Sequence, residues 1–432
     1  MKRLFRTFFI LAFAAAFCRA DVCAATAQAG SEAENAAREN VNGLVLKTRP
    51  PKFFMREVFG FLRECVQDPQ IEMTAAMFCG AVGYPNFAGV SESDAAAVSM
   101  LWRGRDMKIV AEVSAREGGM FAENAKRLFG KNARQVGERV VIEINNSPEI
   151  SATAGGTDLS APRNLAECSV VLRTKNAFDG LQFSLPETLK RILESAEKID
   201  ASVNIRNRVL EVEAVIEPKK GSDFARKIAE VKAGEVPFIN SGNCALLKIS
   251  SNMEFGRDAE FEAPLPNGVL KIETDGRFVV EGNSAGGVNE VCAVFKRRGG
   301  KSGGSEAIEA NRAVVEKYCG VDGVLFIAKR GAVAAIAPNA EAAKKLAEEA
   351  AAADKGGIAS ESGGADKARV LPEIRAEIRL PNARIAECSA AIAGGNVSVK
   401  MSLPFEILRA ALRSKKVSDG ISKLSNAEDG DE

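Results

Sequence analysis

The sequence predicts an α+β fold of two similar halves, an internal duplication in which each half is a mainly antiparallel sheet with helices on one face. Three observations carry that expectation. The string Ala166-Glu167-Cys168-Ser169 returns as Ala386-Glu387-Cys388-Ser389, and each copy is followed by a Gly-containing turn, Ser-Leu-Pro and an apolar helical pattern. Period-two alternation of apolar and polar residues, the mark of a half-buried strand, recurs along the chain and is clearest over 203–216. A chain of 432 residues is also too long for one ordinary core. The expected organisation is a signal peptide over 1–27, a disordered spacer over 28–45 and a first repeat over 46–218. A second repeat over 219–418 carries a mobile insertion at 354–370, and an acidic disordered tail over 419–432 ends the chain.

Taken in order, Lys2, Arg3 and Arg6 precede an apolar run over 8–17 and then small residues, the layout of a secretory signal peptide. The run is shorter than the roughly 20 apolar residues a membrane-spanning helix needs. Cleavage fits best after Ala27 or Ala25, with Ala20 as a further option. Phe17 and Val22 stand where a lipidation site before Cys18 or Cys23 needs a small residue. The expected location is extracytoplasmic, periplasmic or secreted, and the cleaved chain is not expected to be an integral membrane protein.

In the first half, the spacing predicts a helix over 50–66, with Pro51 in its first turn and Phe54, Val58, Phe61, Leu62 and Cys65 along one stripe. A loop over 83–89, a short helix capped by Ser91 or Ser93, a strand over 107–113, a helix over 120–129 stopped by Gly130 and a strand over 139–144 follow. The second half predicts helices over 222–231, 310–318 and 341–353. Its strands are expected near 245–250, 268–274, 277–281, 288–296, 324–327 and 333–336, with Asp275-Gly276 as a type I′ turn joining two of them. Pro186 and Pro404 open the closing helices, and Glu187 and Glu406 lie in the first turns, where the helix dipole favours anions. Cys168 and Cys388 take equivalent positions as small buried hydrophobes.

Composition excludes more than it assigns. The chain has no histidine, which removes the commonest general base near neutral pH and with it Ser-His-Asp, Cys-His and His-ligated metal arrangements. Lys plus Arg (58) nearly balances Asp plus Glu (57), so no long-range field draws in nucleic acid or anionic lipid. Against 23 Phe there are one Trp and two Tyr, too few flat amphipathic rings for a stacking platform. Nine cysteines occur without a Cys-x-x-Cys pair, which gives zinc-ribbon and thioredoxin-like chemistry no support; Cys65 and Cys79 are one pair that could oxidise after export.

Three strings resemble catalytic motifs and fail on context. Gly282-Asn283-Ser284-Ala285-Gly286 has the Gly-x-Ser-x-Gly form, but a strand rather than a helix is expected after it and no histidine exists, so it reads as a hairpin turn. Ser195-Ala196-Glu197-Lys198 has the Ser-x-x-Lys form without a Lys-Thr-Gly companion and reads as a solvated helix end. Gly300-Lys301-Ser302 ends a basic loop, but Phe295 stands where a phosphate loop requires its first glycine. No catalytic, cofactor-binding or metal-ligating residue is therefore assigned, and no cofactor is expected. The functional expectation is an exported non-catalytic protein that binds a partner protein or envelope component through the surface between its repeats, without nucleic acid. The alternative is a His-independent extracytoplasmic hydrolase using paired carboxylates.

Overall fold

The computed structural model describes residues 41–66, 73, 88–147, 150, 157–174, 193–237, 247–255, 259–265, 268–282, 291–296, 314–320, 323–356, 371–379 and 384–413. The α+β expectation is corrected. Large antiparallel sheet makes up most of the described chain, seventeen strands of it, with few helices, in place of two halves built as helices laid on a sheet face. Several segments with helical composition are strands. The stretch after Ser91 and Ser93 forms Ala96–Arg103, the expected helix over 310–318 is Val314–Gly320, and Ser195 sits in the turn before strand Ala196–Arg206. Strand propensity expresses packing against cross-strand neighbours, so alanine-rich strings such as Ala95-Ala96-Ala97 enter a sheet when both flanks are paired.

The described residues divide into two compact units, one holding those up to Phe224 together with those from Met401 on, the other holding those from Ala225 to Lys400. The first unit contains β1 (Asn42–Thr48), α1 (Pro51–Phe61), β2 (Ala96–Arg103), β3 (Asp106–Ser114), α2 (Met120–Phe129), β4 (Ala133–Val136), β5 (Arg139–Asn146), β6 (Ala166–Val171), β7 (Ala196–Arg206) and β8 (Val209–Pro218). β1 begins inside the segment read as spacer and lies centrally, antiparallel to β2 on one side and β6 on the other. The pairing order is β8-β7-β6-β1-β2-β3-β5-β4. Phe121, Ala122 and Ala125 of α2 pack on Val140 and Ile142 of β5. α1 continues into a π-helical turn, Leu62–Val66, and packs against Leu210 and Val212 of β8.

After the helix α3 (Asp223–Glu230), the second unit contains β9 (Leu247–Ser251), β10 (Phe278–Gly282), β11 (Val291–Lys296), β12 (Val314–Gly320), β13 (Gly323–Arg330), β14 (Val333–Ala337), α4 (Ala340–Gly356), β15 (Glu373–Ile378) and β16 (Ala386–Ala393). β9 is central here, between β10 and β15, and the order is β16-β15-β9-β10-β11-β14-β13-β12. In both units the first strand of this order lies inside the sheet and not at its edge, but the succession beyond the next two strands differs. The helix expected over 341–353 is core material, since Ala343, Leu346, Ala347 and Ala350 of α4 fall at helical spacing on Val279, Val294, Ala328 and Ala335 of the sheet. β16 turns through Gly394-Gly395 into β17 (Asn396–Pro404), and α5 (Phe405–Arg413) follows, starting at the expected place after Pro404.

This order also corrects the pairing of the Glu-Cys-Ser strings. Cys168 lies on β6, the immediate neighbour of the central strand, opposite Leu46 and Ala201; Cys388 lies one strand further out, on β16, opposite Ala376. The residue matching Glu167 by register is Glu377, because Lys47 opposes Glu167 as Lys248 opposes Glu377. Asn207 and Arg208 (φ 50° and 62°) link β7 to β8, and Gly394 and Gly395 (φ 60° and 83°) link β16 to β17, both two-residue turns with positive φ throughout. The first Ser-Leu-Pro with Pro186 and Glu187, the signal segment and 357–370 lie outside the described residues.

Asp275-Gly276 is a corner and not the expected hairpin. Gly268–Thr274 pairs with Ala259–Leu265, whereas β10 pairs with β9 and β11. Asp275 is fully buried, where its carboxylate accepts from the Arg277 Nε at 3.1 Å and from the Arg277 backbone amide at 3.0 Å. Gly276 has φ 105°, and a Cβ there would lie 2.6 Å from the Met253 carbonyl oxygen. Gly276→Ala should therefore cost about 2–3 kcal/mol in urea unfolding. Gly331→Ala, at φ 57° in open space, should cost only about 1 kcal/mol by the same measurement.

Candidate functional site

Side chains of a strand alternate between faces, so Lys47 of β1 shares a face with Ala97 of β2 and Glu112 of β3, which stand in one cross-strand row. Lys47 and Glu112 are both buried, at 4% and 3% exposure. The segment Thr157–Ser160 crosses this face as a strap. The Thr157 amide donates to Glu112 Oε2 at 3.0 Å, and Arg139 Nη1 donates to the Thr157 carbonyl at 2.8 Å while lying 3.9 Å from Glu112 Oε1. The Ala95 amide donates to the Leu159 carbonyl at 2.8 Å, and Leu159 is buried. Lys47 Nζ donates to Asp158 Oδ2 at 3.1 Å and to Ser160 Oγ at 3.2 Å.

A serine and a buried lysine at hydrogen-bond distance invite comparison with a Ser-Lys nucleophile, and the hydrogen bonding argues against one. A general base must aim a lone pair at the hydroxyl proton. Here the Ser160 hydroxyl gives its proton to Asp158, and Lys47 donates to both, as an ammonium does. The Ser160 hydroxyl, its backbone amide and Lys47 together hold the Asp158 carboxyl down at about 2. The group is a clasp that neutralises a buried cation.

In the second unit the lysine at this register is partly exposed. Lys248, at the register of Lys47, pairs with Glu281 on the adjacent strand at 2.9 Å. Further along that face, Glu377 and Glu387 stand directly opposite each other on β15 and β16. Arg375 bridges them, 3.2 Å from Glu377 and 3.1 Å from Glu387, and Arg379 adds a contact of 2.7 Å to Glu377. These are two adjacent carboxyls on one face, as the hydrolase alternative requires, but both are turned onto guanidinium groups.

The motif residues contribute little. Gly282 ends β10 opposite Val291 of β11, so residues 283–286 lie in the connection between two antiparallel neighbours, outside the described residues, as does the Gly300-Lys301-Ser302 string. Lys198 lies on a strand, not a helix, and pairs with Asp200 at 2.6 Å. Among the described residues Cys65, Cys168, Cys292 and Cys388 form no disulfide, and Cys79 lies outside them. Burial pushes the Cys65 and Cys388 thiols up to about 12, and raises Cys292 as well, which leaves little thiolate at neutral pH. Glu406 sits in the first turn of α5 as the sequence places it. Sequence reasoning passed over Lys47 and Asp158. The available signal was a lone lysine inside the apolar run Leu44-Val45-Leu46-Lys47, without an indication of its partner. No helix of the described residues is long and apolar enough to cross a membrane. Comparison with protein-family models, with curated proteins and with solved structures finds no match to this chain.

Asp158→Asn should lower stability by about 1–2 kcal/mol, because it leaves the Lys47 ammonium buried without its counter-charge while Asp158 itself is half exposed. Lys47→Met in the same chain should restore most of that loss, as read from urea midpoints. The carboxyl is depressed in the folded state, so its contribution is complete above the ordinary carboxylate range and fades as pH falls towards about 2. The stability gap between the parent chain and Asp158→Asn should accordingly narrow between pH 4 and pH 2, as read from thermal midpoints.

Proposed function

We propose that this chain is an exported, non-catalytic protein that binds a partner protein or a component of the cell envelope. One observation carries the reading. The polar assembly around buried Lys47 and Glu112, with Asp158, Ser160, Arg139 and Thr157, spends donors and acceptors on one another and on the backbone of a strap. Such an assembly fixes a surface and leaves no activated nucleophile. The absence of histidine and the raised thiols support the same reading. The basic and apolar N-terminal run supports export, and the near balance of charge argues against nucleic acid as the partner.

The test has two arms. Purified chain lacking residues 1–27 is incubated with detergent-solubilised envelope from its native cell, and retained components are identified by mass spectrometry against the urea-unfolded chain as control. A component retained by the folded chain alone is the expected result. Nothing retained above the control would remove the main support for binding. In the second arm the chain is assayed on envelope glycans; turnover abolished by Glu377→Gln or Glu387→Gln would replace the proposal with carboxylate hydrolysis.

A further inference from the structure

The C-terminal helix does not pack where its position in the chain would place it. α5 belongs to the first unit, although the residues just before Met401 belong to the second. Phe405, Ile407 and Leu408 are buried at 3%, 6% and 1% exposure. Phe405 and Leu408 share a cluster with Phe61, Leu62, Cys65, Leu210 and Val212, and the Phe405 ring meets the Phe61 ring edge-on at 5.4 Å. Polar contacts fix the helix at both ends of its seat. The Phe405 amide donates to the Arg208 carbonyl at 3.0 Å, Arg409 Nε donates to the Glu64 carbonyl at 2.9 Å, and Arg208 pairs with Glu64 at 2.7 Å. The Glu64–Arg409 contact joins residues 345 positions apart. A helix of nine residues has little stability of its own, so this one is held by its seat.

We propose that the seat formed by α1, its π-helical turn and the β7–β8 hairpin is a docking groove for an amphipathic helix. In the resting chain the groove is closed by the chain's own C-terminal helix, and the local core of the first unit depends on that docking. The mode is a helix laid in a groove, anchored by Phe405 and Leu408 three positions apart with Ile407 beside them. The occupant is the segment 401–413 of this same chain. Because the segment is remote in sequence, the groove is empty until residues 401–413 arrive, and the apolar surface around Cys65 is open until then.

The groove carries its own reporter, since Cys65 is 1% exposed beneath α5 while Cys292 belongs to the second unit. Leu408→Asp and Leu408→Ala are made in the full chain, and alkylation of each thiol by N-ethylmaleimide is followed by peptide mass. In both variants Cys65 should label at least about tenfold faster than in the parent chain, with Cys292 unchanged within about twofold. A synthetic peptide of residues 401–413, added to either variant, should slow Cys65 labelling again, and the same peptide carrying Leu408→Asp should not. The proposal is overturned if Cys65 labelling is unchanged in both variants, if Cys65 and Cys292 accelerate together in both, or if the parent peptide gives no protection.

Discussion

An ammonium group buried in the middle of a sheet must find an anion within a few ångströms, because desolvation without a partner costs several kcal/mol. Lys47, buried, sits on the central strand of the first unit and Lys248, with 41% of its side chain exposed, on the central strand of the second, each opposite a glutamate of the returning strand. In the second unit Glu281, on the neighbouring strand, meets the lysine directly. In the first unit that position is Ala97 and the facing Glu167 accepts from Asn164, so the contact to Lys47 comes from Asp158, outside the sheet. The strap is thereby explained. Once Asp158 is held over Lys47, the neighbouring Thr157 amide reaches Glu112, Arg139 reaches the Thr157 carbonyl, and Leu159 is pressed into an apolar position.

The succession of strands places the same demand on both units. In each, β1 or β9 pairs on one side with β2 or β10 and on the other with a strand that returns late in the chain, β6 or β15. The return is a long-range contact, more than one hundred residues from its partner, and contacts of that kind are slow to form because loop closure precedes any gain. The units differ in how apolar faces are covered. Alanine-rich α4 lies close on β10, β11 and β14 in one, and α2 lies on β5 in the other.

What was legible in the sequence follows the range of the interaction responsible. The helix over 120–129 and the one after Pro404 were readable because a glycine stop or a proline start and a 3.6-residue stripe are local. Strands with β-branched alternation, such as 107–113 and 139–144, were readable for the same reason. Alanine-rich strand β2 and the stretch before Tyr318 were misread, since their conformation is set by partners elsewhere in the chain. The Asp275-Gly276 string has the composition of a hairpin turn, yet Arg277 and Phe255 fix it as a corner between separate sheets. The Lys47–Asp158 pair spans 111 residues, and nothing local to either residue announces the other. The repeated Ala-Glu-Cys-Ser string was visible but misleading, because strand pairing preserves the Lys–Glu register and not the cysteine.

The charged rows are best understood as determinants of register. In a sheet a slip of one residue turns every side chain to the opposite face. Slipping β1 by one place would drive Lys47 into the apolar cluster of Leu44, Met100 and Trp102 and would carry the side chains now in that cluster onto the polar strap. Slipping β15 would part Glu377 from its place opposite Lys248 and bring Ile374 and Ile378 onto the charged face. The first error is penalised by the cost of an unpaired buried charge, which exceeds what a surface ion pair supplies in stability, and the second by exposing apolar side chains. The ion pairs therefore select one pairing among many antiparallel alternatives. That explains why the most buried charges of the first unit stand in a closed clasp over its central strand and not in an open cleft.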